Sequence, residues 1–270
     1  MTMDNKLVLF RRFLVVDVKR SIISIKFIVA SLGIVVCLLL DSLQDIISNR
    51  SGISILYIHT LSWNGSTSLL YIVFASFCSS TLIMSDFESN VIPLWISRGG
   101  KPNYATSKCV ACSISAMLSV VIAEMVFVII LLPFFPLYMS EDVLRLGLEY
   151  SSYKNLIQND QVLLYLMMNT IIKSSCAAMF SLIAMRISLK IRSYFATIAL
   201  PLILYYLLTT LRNIIKVPVF LDFYLIARGL VELYDNCFLS FTYSFICFEV
   251  ISFFIAIMLI KCICRSVENE

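Results

Sequence analysis

Between Cys109 and Phe135 the sequence reads CVACSISAMLSVVIAEMVFVIILLPFF, and the only charged residue in this stretch is Glu124. An α-helix needs about 20 apolar residues to cross the hydrocarbon core of a bilayer, and this stretch exceeds that length. A transmembrane β-strand is shorter and alternates apolar with polar residues, a pattern that the stretch lacks. The stretch therefore predicts a membrane-crossing helix, which Pro133 and Pro136 bend or end at its far end.

The composition of the whole chain agrees with a lipid environment. Of its 270 residues, 60% are hydrophobic and 14% are charged, and the mean hydropathy is +0.93. Soluble domains carry about 25% charged residues, so a water-soluble domain is excluded. Seven Gly and six Pro residues are too few for a fibrous or low-complexity chain. We expect an all-α polytopic membrane protein that forms one domain over residues 1–270.

Six apolar stretches are long enough to be membrane spans. They cover residues 21–40, 66–85, 109–135, 162–185, 193–211 and 241–260. An even number of crossings puts both ends of the chain on one side of the membrane. Residues 1–20 mix apolar and basic side chains, which favours an N-terminal interfacial helix, with a poorly ordered basic tail as the alternative. The first span lacks a following small-residue cleavage site, so we expect it to be retained.

Basic residues are distributed unevenly between the two sides that these spans define. Fourteen of the 21 Lys and Arg residues fall on the side of the two ends, six fall on the other side, and Lys173 lies within a span. Because cytoplasmic loops accumulate basic residues, we predict cytoplasmic N and C termini in a multi-pass protein of the plasma membrane. A bacterial inner membrane is the expected setting. Topology also accounts for the net charge of +4, so we expect no nucleic acid as a partner.

The motifs of common enzymes are missing from the sequence. GxxxxGK[ST] does not occur, and the nearest run, Arg98-Gly-Gly-Lys-Pro102, has the wrong spacing to cradle phosphates. HExxH and GxSxG are also missing, and His59 is the only histidine. Cys109 and Cys112 have the spacing of half a metal site, but without a second pair the cysteines read as small buried hydrophobic residues. We expect no catalytic residue, metal or cofactor in this chain itself.

The predicted cytoplasmic loop 86–108 contains a short apolar element. Pro93 suits the first turn of a helix, and Gly99 and Gly100 suit its end, which gives about two turns. The apolar side chains of this element would form a patch that lipid headgroups or a protein groove must cover. An anchor in the lipid interface, with the tryptophan among headgroups and the arginine on phosphates, is the alternative to a docking site for a partner.

The order of residues around this loop resembles the permease subunit of type-2 ABC transporters. Acidic Asp86 and Glu88 follow a span, the short helix comes next, and Tyr104 and Lys108 open a long third span. The six spans, the N-terminal interfacial helix and the internal termini are also similar to that family. Asn90 stands where the family has a glycine.

The resemblance implies that the short helix is a coupling helix that sits in a groove of a separate ATPase subunit. The residues that it assigns to this contact are Glu88, Val91, Ile92, Leu94, Trp95 and Arg98. It also implies a dimer with a second permease subunit, ATP and magnesium bound by the partner ATPase, and export of an amphipathic or hydrophobic substrate. Peptides are favoured over drugs, lipids and glycans, for bacteriocin or toxin export or immunity. The segment 212–240 resembles the paired re-entrant helices of these permeases, and a surface-lying helix is the alternative.

Three ionisable residues, Glu124, Lys173 and Glu249, lie within predicted spans. At 1.5 Å per residue they are about 16, 16 and 12 Å from the external ends of these spans, so we expect them to meet near mid-membrane. An unpaired charge there costs about 2.5–3.5 kcal/mol, which favours pairing of Lys173 with one of the acids. The group lines a translocation path or fixes helix packing, and the sequence leaves both open. An ion-coupled secondary transporter or channel that uses these charges is the alternative function.

Overall fold

The computed structural model describes residues 3–48, 52–139, 141–142, 146, 153–191, 193–211, 214–228 and 236–266. Every regular element in these ranges is helical, which confirms the predicted all-α class for them. The helices are, in chain order, α1 (Met3–Ile22), α2 (Ile25–Ser48), α3 (Ile55–Ser62), α4 (Tyr71–Ser79), α5 (Leu82–Glu88), α6 (Ile92–Gly99), α7 (Lys101–Leu131), α8 (Lys154–Gln158), α9 (Val162–Lys190), α10 (Tyr194–Thr210), α11 (Phe223–Arg228) and α12 (Cys237–Ser266). In the same ranges, 3₁₀ turns cover Thr67–Leu70 and Val219–Leu221.

Five helical segments in the described ranges are long and apolar enough to cross a membrane. They are Ile25–Ile47, Thr67–Glu88, Lys101–Leu131, Val162–Lys190 and Cys237–Arg265. Helices of this length and composition indicate a membrane protein. The remaining predicted span, 193–211, coincides with α10, which has 17 residues and contains Pro201, and is therefore shorter than the other five.

The break between α1 and α2 is set by Ser24. Its hydroxyl accepts the backbone N–H of Phe27 at 3.1 Å, an N-cap arrangement that starts a new helix. α2 therefore begins at Ile25, within the predicted span 21–40, and continues to Ser48. The apolar run alone does not mark this start, because serine is tolerated inside apolar helices.

α1 is a separate helix that packs along α7, in the region predicted to be an interfacial helix. Phe13 and Asp17 are buried against the bundle, whereas Val15 and Val16 are exposed. One face of α1 is thus held by protein, and its outer face is apolar as well as basic. Such a helix suits a lipid interface better than open water.

α9 is the central helix of the bundle. Of the 18 most apolar consecutive residues of α9, 72% are buried inside the protein, whereas the corresponding share for α12 is 22%. Its neighbours are α4, α7, α10 and α12. Small buried residues on both partners, such as Ala116 and Ala123 on α7 and Ala177 on α9, allow close approach of the two backbones.

The long helices run between two ends of the bundle, which we name the α6 end and the α3 end. At the α6 end, Ile92 of α6 packs in one cluster with Tyr104, Met185 and Ile263 from α7, α9 and α12. At the α3 end, a chain of edge-to-face aromatic contacts joins α4, α10 and α11 with the residue that follows α3. Its ring centroids are 5.1 Å apart for Trp63 and Tyr71, 6.2 Å for Tyr71 and Tyr205, and 5.7 Å for Tyr205 and Phe223.

The segment 212–240 is described at residues 214–228 and 236–240. α11 packs Ile226 and Ala227 into the core beside α9. Residues 229–235, which separate α11 from α12 and belong to the predicted paired re-entrant helices, lie outside the described residues. α12 begins at Cys237, earlier than the predicted span at 241–260.

Candidate functional site

α6 is a two-turn helix between two residues with left-handed backbone. Pro93 lies in its first turn, as the sequence predicts. Asn90, just before it, has φ of +52°, a conformation that asparagine tolerates better than most residues. Gly100, just after it, has φ of +79° and lets the chain turn directly into α7. The local sequence thus sets both ends of α6 and the sharp turn into α7.

The residues predicted to couple to an ATPase divide between two faces of α6. Ile92 is buried, and Trp95 packs its ring against Phe13 of α1 with centroids 5.4 Å apart. Leu94 is 60% exposed, and Arg98 is exposed on the following turn. The surface that a partner would meet is therefore centred on Leu94 and Arg98 rather than on Trp95.

The two remaining predicted coupling residues precede α6. Val91 is half-buried at the start of the helix. Both carboxylate oxygens of Glu88 lie 2.9 Å from the hydroxyl of Tyr194, which donates to them from the start of α10. Glu88, the last residue of α5, is thus hydrogen-bonded to the start of α10, and Leu94 and Arg98 remain the outward-facing residues.

A buried ion network lies at the α6 end, beneath α6. The Lys108 ammonium is 2.7 Å from Asp17 Oδ1 and 2.6 Å from Asp86 Oδ2. Arg20 lies 2.9 Å from Asp86 Oδ1, so two carboxylates face two cations. Pairing of this kind offsets the large cost of taking each charge out of water. The network joins α1, α5 and α7.

Two hydroxyl groups complete this network. Tyr104 donates a hydrogen bond to Asp86 Oδ2 at 3.0 Å, and Ser107 donates one to Asp17 Oδ2 at 2.7 Å. Both come from the first two turns of α7, directly after α6. A displacement of α6 would therefore act first on α7 and on the helices bound to it through these charges.

A second polar group, which we name the Glu124 cluster, lies inside the bundle nearer the α3 end. Trp63 donates its indole N–H to Glu124 Oε2 at 2.9 Å, and His59 Nε2 faces Glu124 Oε1. The Lys173 ammonium lies 4.0 Å from the centroid of the Trp63 ring, a cation–π distance. All four side chains are buried. Such an arrangement compensates a carboxylate at membrane depth.

The Glu124 cluster contains two of the three ionisable residues predicted within spans. Glu124 and Lys173 come together around Trp63, as described above. Glu249 is half-buried on α12 and is not among the residues that contact this cluster in the described part of the chain.

His59 and Trp63 are functional candidates that sequence reasoning missed. Residues between the first two predicted spans read as an external loop, whereas α3 inserts into the bundle and leaves His59 fully buried. The signal was the uncharged run Ile53–Trp63, which is too apolar for a solvated loop. It is also too short to cross a bilayer as a helix.

Glu124 also borders an apolar groove on the outside of the bundle. The groove, of about 380 Å³, runs between α7 and α9 and is lined by residues such as Met125, Ile129 and Met167. Glu124 therefore connects the buried polar residues of its cluster with an outer surface suited to acyl chains. The remaining polar contacts of its carboxylate come from inside the bundle.

Taken together, the described residues form a helical membrane protein. They include five helical segments long enough to cross a membrane, a short amphipathic helix at one end and a charged cluster within the bundle. No protein-family model, curated protein or solved structure matches this chain. Function is therefore inferred from the arrangement of its own residues.

Proposed function

We propose that this chain is the transmembrane permease subunit of a type-2 ABC transporter, driven by separate ATPase subunits. The observation that carries the proposal is α6, a short helix fixed between a membrane-length helix and α7. It presents Leu94 and Arg98 outward and rests on a buried ion network. A helix with an exposed apolar residue beside a cation suits a groove on another protein.

The ion network supports a mechanical role for α6. A rigid connection is needed if movement of a partner is to reach the membrane-crossing helices. Lys108 and Asp86 connect α7 to α5, and Asp17 connects α7 to α1. In this proposal, ATP binding by the partner subunits draws the α6 helices together, and the network passes this motion to the bundle.

Six crossings with α6 on the cytoplasmic side form part of the proposal. α10 begins beside Glu88 at the α6 end, and its residue Tyr205 contacts Tyr71 at the α3 end. These contacts at both ends support a sixth crossing by α10, despite its 17 residues, beside the five longer segments of the described ranges. The excess of basic residues on the α6 side supports a cytoplasmic location in a bacterial plasma membrane.

The proposed transporter works as a dimer with a second permease subunit and exports an amphipathic or hydrophobic substrate, with peptides favoured. The wide apolar faces of α2 and α12, which include Leu32, Val36, Phe253 and Phe254, are exposed in a single copy. Lipid or a second subunit would cover such faces in a membrane.

The test is co-purification from native membranes in mild detergent. We expect an ATPase of about 25–35 kDa, the size of one domain, to accompany the chain. Leu94→Asp should abolish its recovery, because it places a charge on the exposed apolar residue of α6, and Arg98→Glu should weaken it. ATP hydrolysis in the purified material identifies the partner as the motor.

Lys190→Glu is the matched control, since this exposed lysine lies at the same end of the bundle but on α9. It should leave the ATPase bound, and each variant should keep the thermal unfolding midpoint of the parent. Recovery of the ATPase with Leu94→Asp, or its absence with the unaltered chain, would contradict the proposal.

A second candidate function, an ion-coupled carrier or channel, is favoured by one observation, the burial of His59, Glu124 and Lys173 in one group. Buried ionisable residues in membrane helices often mark proton or ion pathways. Purified protein in vesicles without any ATPase distinguishes the two functions. Substrate movement driven by a proton gradient alone, and lost in Glu124→Gln, would favour the carrier.

A further inference from the structure

A cavity of about 440 Å³ opens at the α3 end of the bundle. Its walls come from the segment after α3, the start of α4, the middle of α9, the end of α10, and α11. Lys173 is eleven residues into α9, so the cavity reaches roughly 16 Å along that helix. Its volume is in the range of sites that hold small molecules, about 300–1,000 Å³.

The lining of this cavity has a definite sign of charge. Lys173 and Arg228 both line it, and no acidic side chain does so among the described residues. Glu124, the acidic residue of the Glu124 cluster, is not part of the lining. A concave site whose charged side chains are all cationic attracts an anion.

Lys173 provides the strongest sign that the site is built for a ligand. Its side chain is 5% exposed, and the direct contacts of the nearby Glu124 carboxylate go to Trp63 and His59 rather than to the Lys173 ammonium. In the described part of the chain its ammonium lies over the face of Trp63, a contact that supplies no hydrogen-bond acceptor to its N–H groups. Buried ammonium groups are normally paired, so an acceptor from a ligand is expected in the adjacent space.

The rest of the lining is aromatic and hydroxylic. Trp63, Tyr206 and Tyr224 supply rings, and Ser66 and Thr210 supply hydroxyl groups. Tyr206 is 57% exposed, so its ring is available at the mouth. Aromatic walls around a cationic centre suit a ligand with an apolar body and one acidic headgroup.

We propose that this cavity binds a small amphipathic anion. Its carboxylate or phosphate would lie against Lys173 and Arg228, and its apolar body would lie along Trp63 and Tyr206. Binding at this site requires no ATPase subunit, so the binding proposal can be tested independently of the proposed transport function.

The experiment uses the tryptophan pair of the chain as reporter. Trp63 lines the cavity, and Trp95 lies at the opposite end on α6, so Trp95→Phe leaves emission from the site alone. In phosphatidylcholine nanodiscs, this variant is titrated with 4-bromobenzoate and with 4-bromophenyl phosphate, whose bromine quenches a nearby indole. We expect saturable quenching by one or both anions, and which of them binds more tightly identifies the preferred headgroup.

Three comparisons decide the result. 4-Bromobenzylamine, of similar shape but opposite charge, should give no saturable quenching. Lys173→Met should weaken anion binding about tenfold, since it removes a charge-assisted hydrogen bond. Arg228→Gln, at the less buried end of the site, should do the same and decides the matter if Lys173→Met does not fold. Equal quenching by the amine and the anions, or affinity unchanged in folded Lys173→Met or in Arg228→Gln, would overturn the proposal.

Discussion

At the residue scale, Lys108 is the most constrained charge of the α6 end. It is 1% exposed and is shared between Asp17 and Asp86. Lys108→Met leaves two buried carboxylates with only Arg20 to balance them, and removal of one partner from a buried ion pair costs about 3–5 kcal/mol. We expect a large drop in the thermal unfolding midpoint in detergent. The midpoint is measured from the change in intrinsic fluorescence around Trp95.

Two variants separate the charge effect from the loss of packing. Lys190→Met removes an exposed lysine from the same end and should leave the midpoint unchanged. Asp17→Asn combined with Lys108→Met restores the balance between Arg20 and Asp86, and it should recover part of the lost stability. An unchanged midpoint in Lys108→Met would show that the network is not a significant source of stability.

At the element scale, the packing of α2 against α4 depends on Gly33. A Cβ atom at this position would overlap the ring of Phe74 on α4. Gly33→Ala must therefore push the two helices apart or turn the ring, and overpacking of this kind costs about 1–3 kcal/mol. We expect a lower unfolding midpoint for Gly33→Ala.

A compensating substitution checks the cause of that effect. Gly33→Ala together with Phe74→Leu opens space for the new methyl group, and the midpoint should rise again relative to Gly33→Ala alone. If the single substitution left the midpoint where it was, α2 and α4 would not be in the close contact described.

α6 shows how far an element can be set by its own residues. Pro93 and Gly100 delimit it, and both act on the backbone within one residue of their own position. The rotation of α6 about its own axis, in contrast, depends on its neighbours. Trp95 is drawn inward because α1 offers Phe13 at that height, and Leu94 is left outside by the same rotation.

At the scale of the whole molecule, the proposed six-crossing topology depends on α10. Lys190, at the end of α9, and Val219, in the 3₁₀ turn after α10, are both exposed, and α10 is the helix between them. If α10 crosses the membrane, Val219→Cys should react with a membrane-impermeant maleimide in intact cells. Lys190→Cys should react only after permeabilisation, because the charged reagent does not cross hydrocarbon.

The parent chain, with its nine cysteines, is labelled in parallel as the background for both variants. Ser97→Cys on α6 is a second site at the α6 end, and it should behave as Lys190→Cys does. Labelling of Val219→Cys and Lys190→Cys from the same side would mean that α10 does not cross, and the six-span topology would then be wrong.

The candidate sites were predictable only in part. Glu124 and Lys173 stand out because a charge inside an apolar run is visible without any structure. Depth along a helix follows from residue number, but rotation about its axis and the choice of neighbour do not. This is why Glu249, at a comparable depth, is not part of the Glu124 cluster, whereas His59 is.

The sequence by itself determined that the chain is helical and suited to lipid. A bilayer offers no partner for backbone N–H and C=O groups, so an uninterrupted apolar run of sufficient length must satisfy them within one helix. That requirement acts within one segment, so the composition and the length of the apolar run are enough to reveal it. The start and end of α6, near Pro93 and Gly100, are likewise set by residues within that segment.

Only the tertiary structure decided which distant side chains meet. Lys108 and Asp17 are 91 positions apart, and Trp63 and Glu124 are 61 apart. In lipid the hydrophobic effect does not choose helix partners, so the choice is made by close packing of small residues and by polar contacts. These terms depend on the shape of every neighbouring helix at once, and no single stretch of sequence contains them.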